Sequence, residues 1–210
     1  MKLGKGKFSL DVPYSDSSMR MMIRARRNCP DGIFHPQDVW NNTMAREARL
    51  LKNQHYYFLV ARGHQQQRLF DHETDYRFYL SLLKKYKNRF GIKIYSFCLL
   101  PDYVYLLVKC EVGRELSGFM QGVAQSYAFY FNARYRRSGG VWRGRFKSSV
   151  LENYEDIFSC VKLIEFSPVR LQITNSPADY PWSSYMARVL SDSHEFEHLL
   201  AESGPQFYRG

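Results

Sequence analysis

Tyr103 and Tyr105 stand two residues apart in the stretch PDYVYLLVK (101–109), alternating with Val104 and Leu106. A period of two is that of a half-buried strand, so both phenols fall on one face of a sheet. A phenol with its ordinary pKa of about 10 is a poor ligand for a divalent ion. Two of them hold a metal only if both ionise, which a nearby cation would have to force. Otherwise the pair offers aromatic area, either for packing a helix onto the sheet or for stacking on a nucleobase.

A second chemistry-bearing stretch is RYRRSGGVWRGRFK (134–147). Arg134, Arg136, Arg137, Arg143, Arg145 and Lys147 alternate there with Tyr135, Trp142 and Phe146, and no residue of opposite sign intervenes. Cations contact phosphates and rings take base faces, while paired glycines let a strand approach the backbone. The competing reading makes Trp142 and Phe146 core anchors and leaves only the arginines to solvent. Arg62 and Arg68 flank the polar turn GHQQQR (63–68), which either reads base edges or is a solvated connection. His194 and His198 have i, i+4 spacing in HEFEH, but within an acidic tail they read as a surface helix, so no metal site is expected.

The chain has 210 residues, 45% hydrophobic and 16% aromatic, enough for one sizeable core with an added arm. Its longest apolar runs, such as YYFLVA (56–61), are too short to cross a bilayer. The opening MKLGKGKFSLDV lacks the continuous apolar segment of a signal peptide. Cys29, Cys98, Cys110 and Cys160 have no paired spacing and read as reduced thiols of a cytoplasmic protein. The net charge of +10 is unevenly spread: residues 1–151 hold 26 Lys+Arg against 11 Asp+Glu, whereas residues 152–210 hold 4 against 9. From Gly118 to Val150 there is no acidic residue. Such asymmetry points to a polyanion, nucleic acid before an anionic membrane surface.

These groups must be positioned by regular elements, and the patterning predicts them. HYYFLVA (55–61) is a first strand. Asp71 is placed to cap a helix over 72–88, with Glu73 and Asp75 in its first turn and Tyr76, Tyr79, Leu80 and Leu83 as its apolar stripe. Strands at 92–100 and 102–109 follow, joined tightly through Pro101-Asp102. Leu116, Phe119, Met120, Val123, Tyr127 and Tyr130 mark a long helix at 114–136. A fourth strand lies within 141–151, and a helix runs from Tyr154 to about Phe166, stopped at Ser167-Pro168. This order predicts an α+β, ferredoxin-like or RRM-like sandwich: one antiparallel sheet with helices packed mainly on one face. ADYPWSSY (178–185) is expected to pack the C-terminal segment onto the domain. Residues 1–43, with the basic stretch MRMMIRARR (19–27), read as an N-terminal basic arm, 44–190 as the main domain and 191–210 as an acidic tail.

Six pieces in order, MAREARL (44–50), ARGHQQQRLF (61–70), CLLPDYVYLLV (98–108), YFNARYRRSGGVWRGRFKSS (130–149), IEFSPVR (164–170) and ADYPWSSY (178–185), resemble the single-tyrosine HUH transposases, in particular the REP-associated tyrosine transposase group. The resemblance implies a fold that binds hairpin and single-stranded DNA. It also implies two histidines around a bulky apolar residue that help hold Mg or Mn, a late-helix tyrosine that attacks a DNA phosphate, and an asparagine one turn later. The corresponding positions here are Tyr103, Tyr105, Leu163 and Ser167. The expectation is a DNA-binding protein derived from a transposase, without cleavage and without a metal cofactor. The rivals are an enzyme with a relocated nucleophile (Tyr154, Tyr127 or Tyr130), an RNA-binding protein, and a module that meets a protein partner through the arm or the tail.

Overall fold

The computed structural model describes residues 51–189 and 196–201, all within Ala48–Gly210, the second of the two units into which the chain divides. The readings of the arm at 1–43, of Cys29, of His194 and of most of the acidic tail lie outside the described residues.

The described elements are β1 (His55–Arg62), α1 (Glu73–Phe90), β2 (Ile92–Leu99), β3 (Tyr103–Cys110), α2 (Gly113–Arg134), β4 (Lys147–Leu151), α3 (Tyr154–Glu165), α4 (Ser167–Arg170) and α5 (Tyr185–Val189). Short 3-10 turns occupy His64–Gln66, Pro177–Asp179 and Glu197–Leu199. The strands order as β2-β3-β1-β4, with every pairing antiparallel. Two β-α-β units, each leaving a gap that another strand fills, give the expected ferredoxin-like α+β sandwich.

Strand alternation decides what each face does. Leu59, Val104, Leu106 and Val108 point to the face covered by α1 and α2, where they meet Leu83, Phe119, Val123 and Tyr127 in one core. The two long helices lie close because Gly118 and Gly122 present no side chain to the rings of Phe90 and Tyr86. The opposite face carries Phe58, Val60 and Arg62 of β1 opposite Leu107, Tyr105 and Tyr103 of β3. The shorter α3 packs there, burying Ile157, Cys160, Val161 and Ile164.

One local expectation changes and another gains a detail. The cap of α1 is His72, not Asp71, and the Asp75 carboxylate accepts the backbone N–H groups of Asp71 at 3.0 Å and His72 at 2.9 Å. An acid at the third helical position thus satisfies two donors that the helix start leaves open. α3 does end at Glu165, capped by Phe166, where Ser167-Pro168 is expected to stop it, but a separate turn, α4, begins at once with Pro168 in its first turn, where the missing N–H costs nothing.

The segment after α4 returns to the outer edge of β2. Leu99 N–H donates to the Trp182 carbonyl at 2.9 Å, Ser184 N–H to Phe97 at 2.9 Å and Ala201 N–H to Ile94 at 2.8 Å. Trp182 stacks on Tyr76, with ring centroids 4.6 Å apart. The buried Glu165 carboxylate of α3 accepts from Ser184 Oγ at 2.6 Å, Arg188 Nε at 3.1 Å and Ser96 Oγ at 3.2 Å. ADYPWSSY is therefore a packing segment that ties α3, α5 and β2 together. Among the described residues no helix is long and apolar enough to cross a membrane.

Candidate functional site

β1 extends through Arg62, one residue further than the apolar run, and this places Arg62 directly opposite Tyr103. The guanidinium carbon lies 4.9 Å from the Tyr103 ring centroid, and the Tyr103 and Tyr105 rings are 5.9 Å apart. Arg62, Tyr103 and Tyr105 are 4%, 5% and 3% exposed. Lys147 of β4 pairs with Val60 and so shares this face. Arg143 joins through its backbone, its N–H donating to the Arg62 carbonyl at 2.8 Å.

Burial pushes the Tyr103 phenol up to about 12, against the pull of Arg62 and Arg143. Burial also drives Tyr105 well above its ordinary range, and Tyr103 adds to this. Both are neutral phenols at physiological pH. Lys147 is lowered, first by burial and then by Arg143. Asp102 at the β2–β3 turn is raised by burial and drawn down by Arg62.

These residues do not fit a divalent cation. The pair supplies no anionic ligand, a guanidinium lies over the Tyr103 ring, and hard cations take carboxylates and carbonyls while imidazoles suit transition ions. No group of three His, Cys, Asp or Glu occurs among the described residues that could replace it. Leu163 is half-buried on α3, and Ser167 uses its hydroxyl to donate to the Leu163 carbonyl at 2.5 Å. Of the tyrosines considered as substitute nucleophiles, Tyr127 is fully buried on the other face and donates to the Leu69 carbonyl. Tyr130 donates to Asp75 at 2.9 Å on that same layer, and Tyr154 is exposed at the start of α3.

Among the described residues the hydroxyls of Tyr103 and Tyr105 find no hydrogen-bond partner. An unsatisfied buried hydroxyl costs about 1–3 kcal/mol, which its removal recovers. In phosphate-free buffer, Tyr105→Phe is therefore expected to leave stability unchanged or raise it by about 1 kcal/mol, read from the urea midpoint. A loss of similar size would mean that the hydroxyl is paired.

The arginine-rich segment forms a ledge at the end of the sheet, and its residues divide by role. Arg136, Arg137, Arg143 and Arg145 are exposed. Arg137 donates to Gln67 Oε1 at 2.9 Å, and Gln67 Nε2 donates to the Val141 carbonyl at 2.9 Å. His64 N–H meets the same carbonyl at 2.9 Å, so the GHQQQ turn braces the ledge. Gly139 and Gly144 take left-handed backbone angles, with φ of 100° and 75°, that permit the two bends.

Trp142 turns inward. It packs on Tyr79 and Tyr127 with centroids 6.1 and 5.8 Å away and donates Nε1–H to the Ala124 carbonyl at 2.9 Å. Phe146 is likewise packed against the core. Arg134 lies 3.3 Å from Asp75, and exposed Arg68 lies 3.4 Å from Asp71.

Asp75 is the residue that the spacing alone did not single out. Fully buried, it accepts Tyr135 Oη at 2.5 Å and Tyr130 Oη at 2.9 Å besides the two amides, and so joins the start of α1 to the end of α2, where the ledge begins. Burial opposes its charge, but the phenol and amide donors outweigh that and hold its carboxyl below the ordinary range. An acid three residues past a helix cap was the available signal.

Comparison with known proteins follows the same lines. The family model described as transposase IS200 like matches residues 51–159. A solved structure of a REP-associated tyrosine transposase bound to a REP hairpin superposes with a TM-score of 0.62 at 16% identity, over 78% of this chain and 93% of that one. At that identity the likeness is one of fold. A putative transposase from Deinococcus radiodurans R1 matches with a TM-score of 0.38 at 18% identity, over 53% of this chain and 90% of that one. No curated protein matches. The strand order, the helices and a family match across half the chain agree, and the chain belongs to the IS200-like transposase family.

Proposed function

We propose that this protein binds hairpin or single-stranded DNA through the arginine ledge and does not cut it. The observation that carries the reading is the exposure of Arg136, Arg137, Arg143 and Arg145 on one braced segment, within a span from Gly118 to Val150 that has no acidic residue. Phosphates are the polyanion that such a surface attracts. A REP-associated relative of the same fold has been solved with a REP hairpin bound, which favours a hairpin ligand.

The absence of cleavage follows from the chemistry of the opposite face. Tyr103 and Tyr105 are neutral phenols beside Arg62, and Leu163 offers no nucleophile where the family's tyrosine is expected. On this reading the protein is a domesticated binder, cytoplasmic and nucleoid-associated, regulatory or part of a larger nucleoprotein assembly. The domain spans 44–190, and the basic arm at 1–43 and the tail at 191–210 are the segments available to a protein partner.

Labelled hairpin DNA incubated with the protein and manganese is expected to show binding without cleavage or a covalent adduct. Binding should weaken steeply as salt rises, and a matched RNA hairpin should bind less tightly. Cleavage abolished by Tyr154→Phe would establish the enzyme instead.

A further inference from the structure

Buried side-chain polar atoms are nearly always paired, so a cluster of unpaired ones calls for a missing partner. Four such atoms occur among the described residues, and three of them lie together: Arg62 Nε, Tyr103 Oη and Tyr105 Oη. The guanidinium can only donate, and the phenols, being neutral, can also donate. A buried guanidinium without an ion-pair partner is costly, so the missing partner is an acceptor that carries negative charge. Asp102 is close enough to feel Arg62, but among the described ion pairs there is none between them. Lys147 and Arg143 add positive charge to the same corner.

Depth narrows the anion. Arg62, Tyr103 and Tyr105 are each at least nine-tenths buried at the end of β1 and the start of β3, beside the ledge. An internal phosphodiester is flanked by two sugars and approaches broadside. The three atoms are closed to solvent, so an anion reaches them only as these side chains part, and a phosphate monoester, with three free oxygens and one attachment, can do so end-on. We propose that Arg62, Tyr103 and Tyr105, with Lys147, form a metal-free pocket for a terminal phosphate of the nucleic-acid strand held by the ledge. This deepens the DNA-binding reading and rests on it for the source of the phosphate. A guanidinium and two hydroxyls donating to a phosphate would make charge-assisted hydrogen bonds.

The test uses the full chain, three otherwise identical hairpins bearing a 5′-phosphate, a 3′-phosphate or neither, and inorganic phosphate as a separate probe. One phosphorylated end is expected to bind about tenfold more tightly than the bare hairpin, a difference of about 1.4 kcal/mol. The end that gains identifies the source. Tyr103→Phe/Tyr105→Phe keeps both rings and is expected to bring that preference within about twofold while leaving bare-hairpin affinity in place. Inorganic phosphate should raise the melting temperature of the unaltered chain above that in chloride of equal ionic strength, and not that of the double variant.

Equal affinity for all three hairpins, or a melting temperature indifferent to phosphate, overturns the pocket while leaving the ledge reading intact. A phosphate response that disappears in the double variant, with no hairpin bound at all, upholds the pocket and sinks the DNA reading. A preference that survives the double variant also overturns it.

Discussion

Replacing Arg136, Arg137, Arg143 and Arg145 together with serine is expected to weaken hairpin binding by about a hundredfold or more at about 0.05 M salt. Each cation that neutralises a phosphate releases a counterion, so the slope of log affinity against log salt should flatten by about 3 for four lost contacts at about 0.7–0.9 each. All four side chains are exposed, so the variant should fold with an unchanged melting temperature. Arg137 gives up its bond to Gln67 and its place over the Phe131 ring, both at the surface. Arg134→Ser provides the contrast: it removes an ion pair to Asp75 and should lower stability more than affinity. Titration of fluorescent hairpin at several salt concentrations reads both quantities. An unchanged salt slope would show that the phosphates are met elsewhere.

Asp75→Ala is expected to be the most damaging single change in the described chain. It strands the phenols of Tyr130 and Tyr135 and the amides of Asp71 and His72, and removes the counter-charge of Arg134. Breaking a buried charged network of this kind costs about 3–5 kcal/mol. The same group sets a pH dependence. Its folded pKa lies below its ordinary value of 3.8, so the folded state binds the proton less readily than the unfolded chain does. The stabilisation is present in full above that ordinary value and is lost as pH falls through the lower, folded one. Urea midpoints between pH 7 and pH 2.5 should fall in the unaltered chain and fall less steeply in Asp75→Ala. Adding Tyr130→Phe and Tyr135→Phe to Asp75→Ala should cost less than the same changes in the unaltered chain, because the phenols have already lost their acceptor.

The fold was legible because its signals are local and repeated. The alternation through Tyr57, Leu59, Val104 and Leu106 marks strands, and Leu116, Phe119, Val123 and Tyr127 mark a helix, with ends within about two residues of those observed. The site was less legible because it depends on register and on direction. Arg62 read as a candidate nucleic-acid contact flanking a polar turn. It is buried only because β1 runs one pair further and meets Tyr103, a fact of pairing that no window of sequence contains. Trp142 sits among arginines and reads as a stacking ring, yet the bends at Gly139 and Gly144 turn it toward Ala124. Asp75 read as an acid favoured by a helix start, while its phenol partners come from 55 and 60 residues away.

The backbone bonds between β2 and the returning C-terminal segment have a consequence for how copies or partners can assemble. The β2 margin is taken by Trp182, Ser184 and Ala201, so an incoming strand finds no free ladder there. Among the described residues the sheet can be lengthened only beyond β4, whose first residue is Lys147. Any protein that joins by strand addition to the described sheet must therefore arrive on the side where the arginine ledge ends, beside the strand proposed to lie there rather than across the sheet from it.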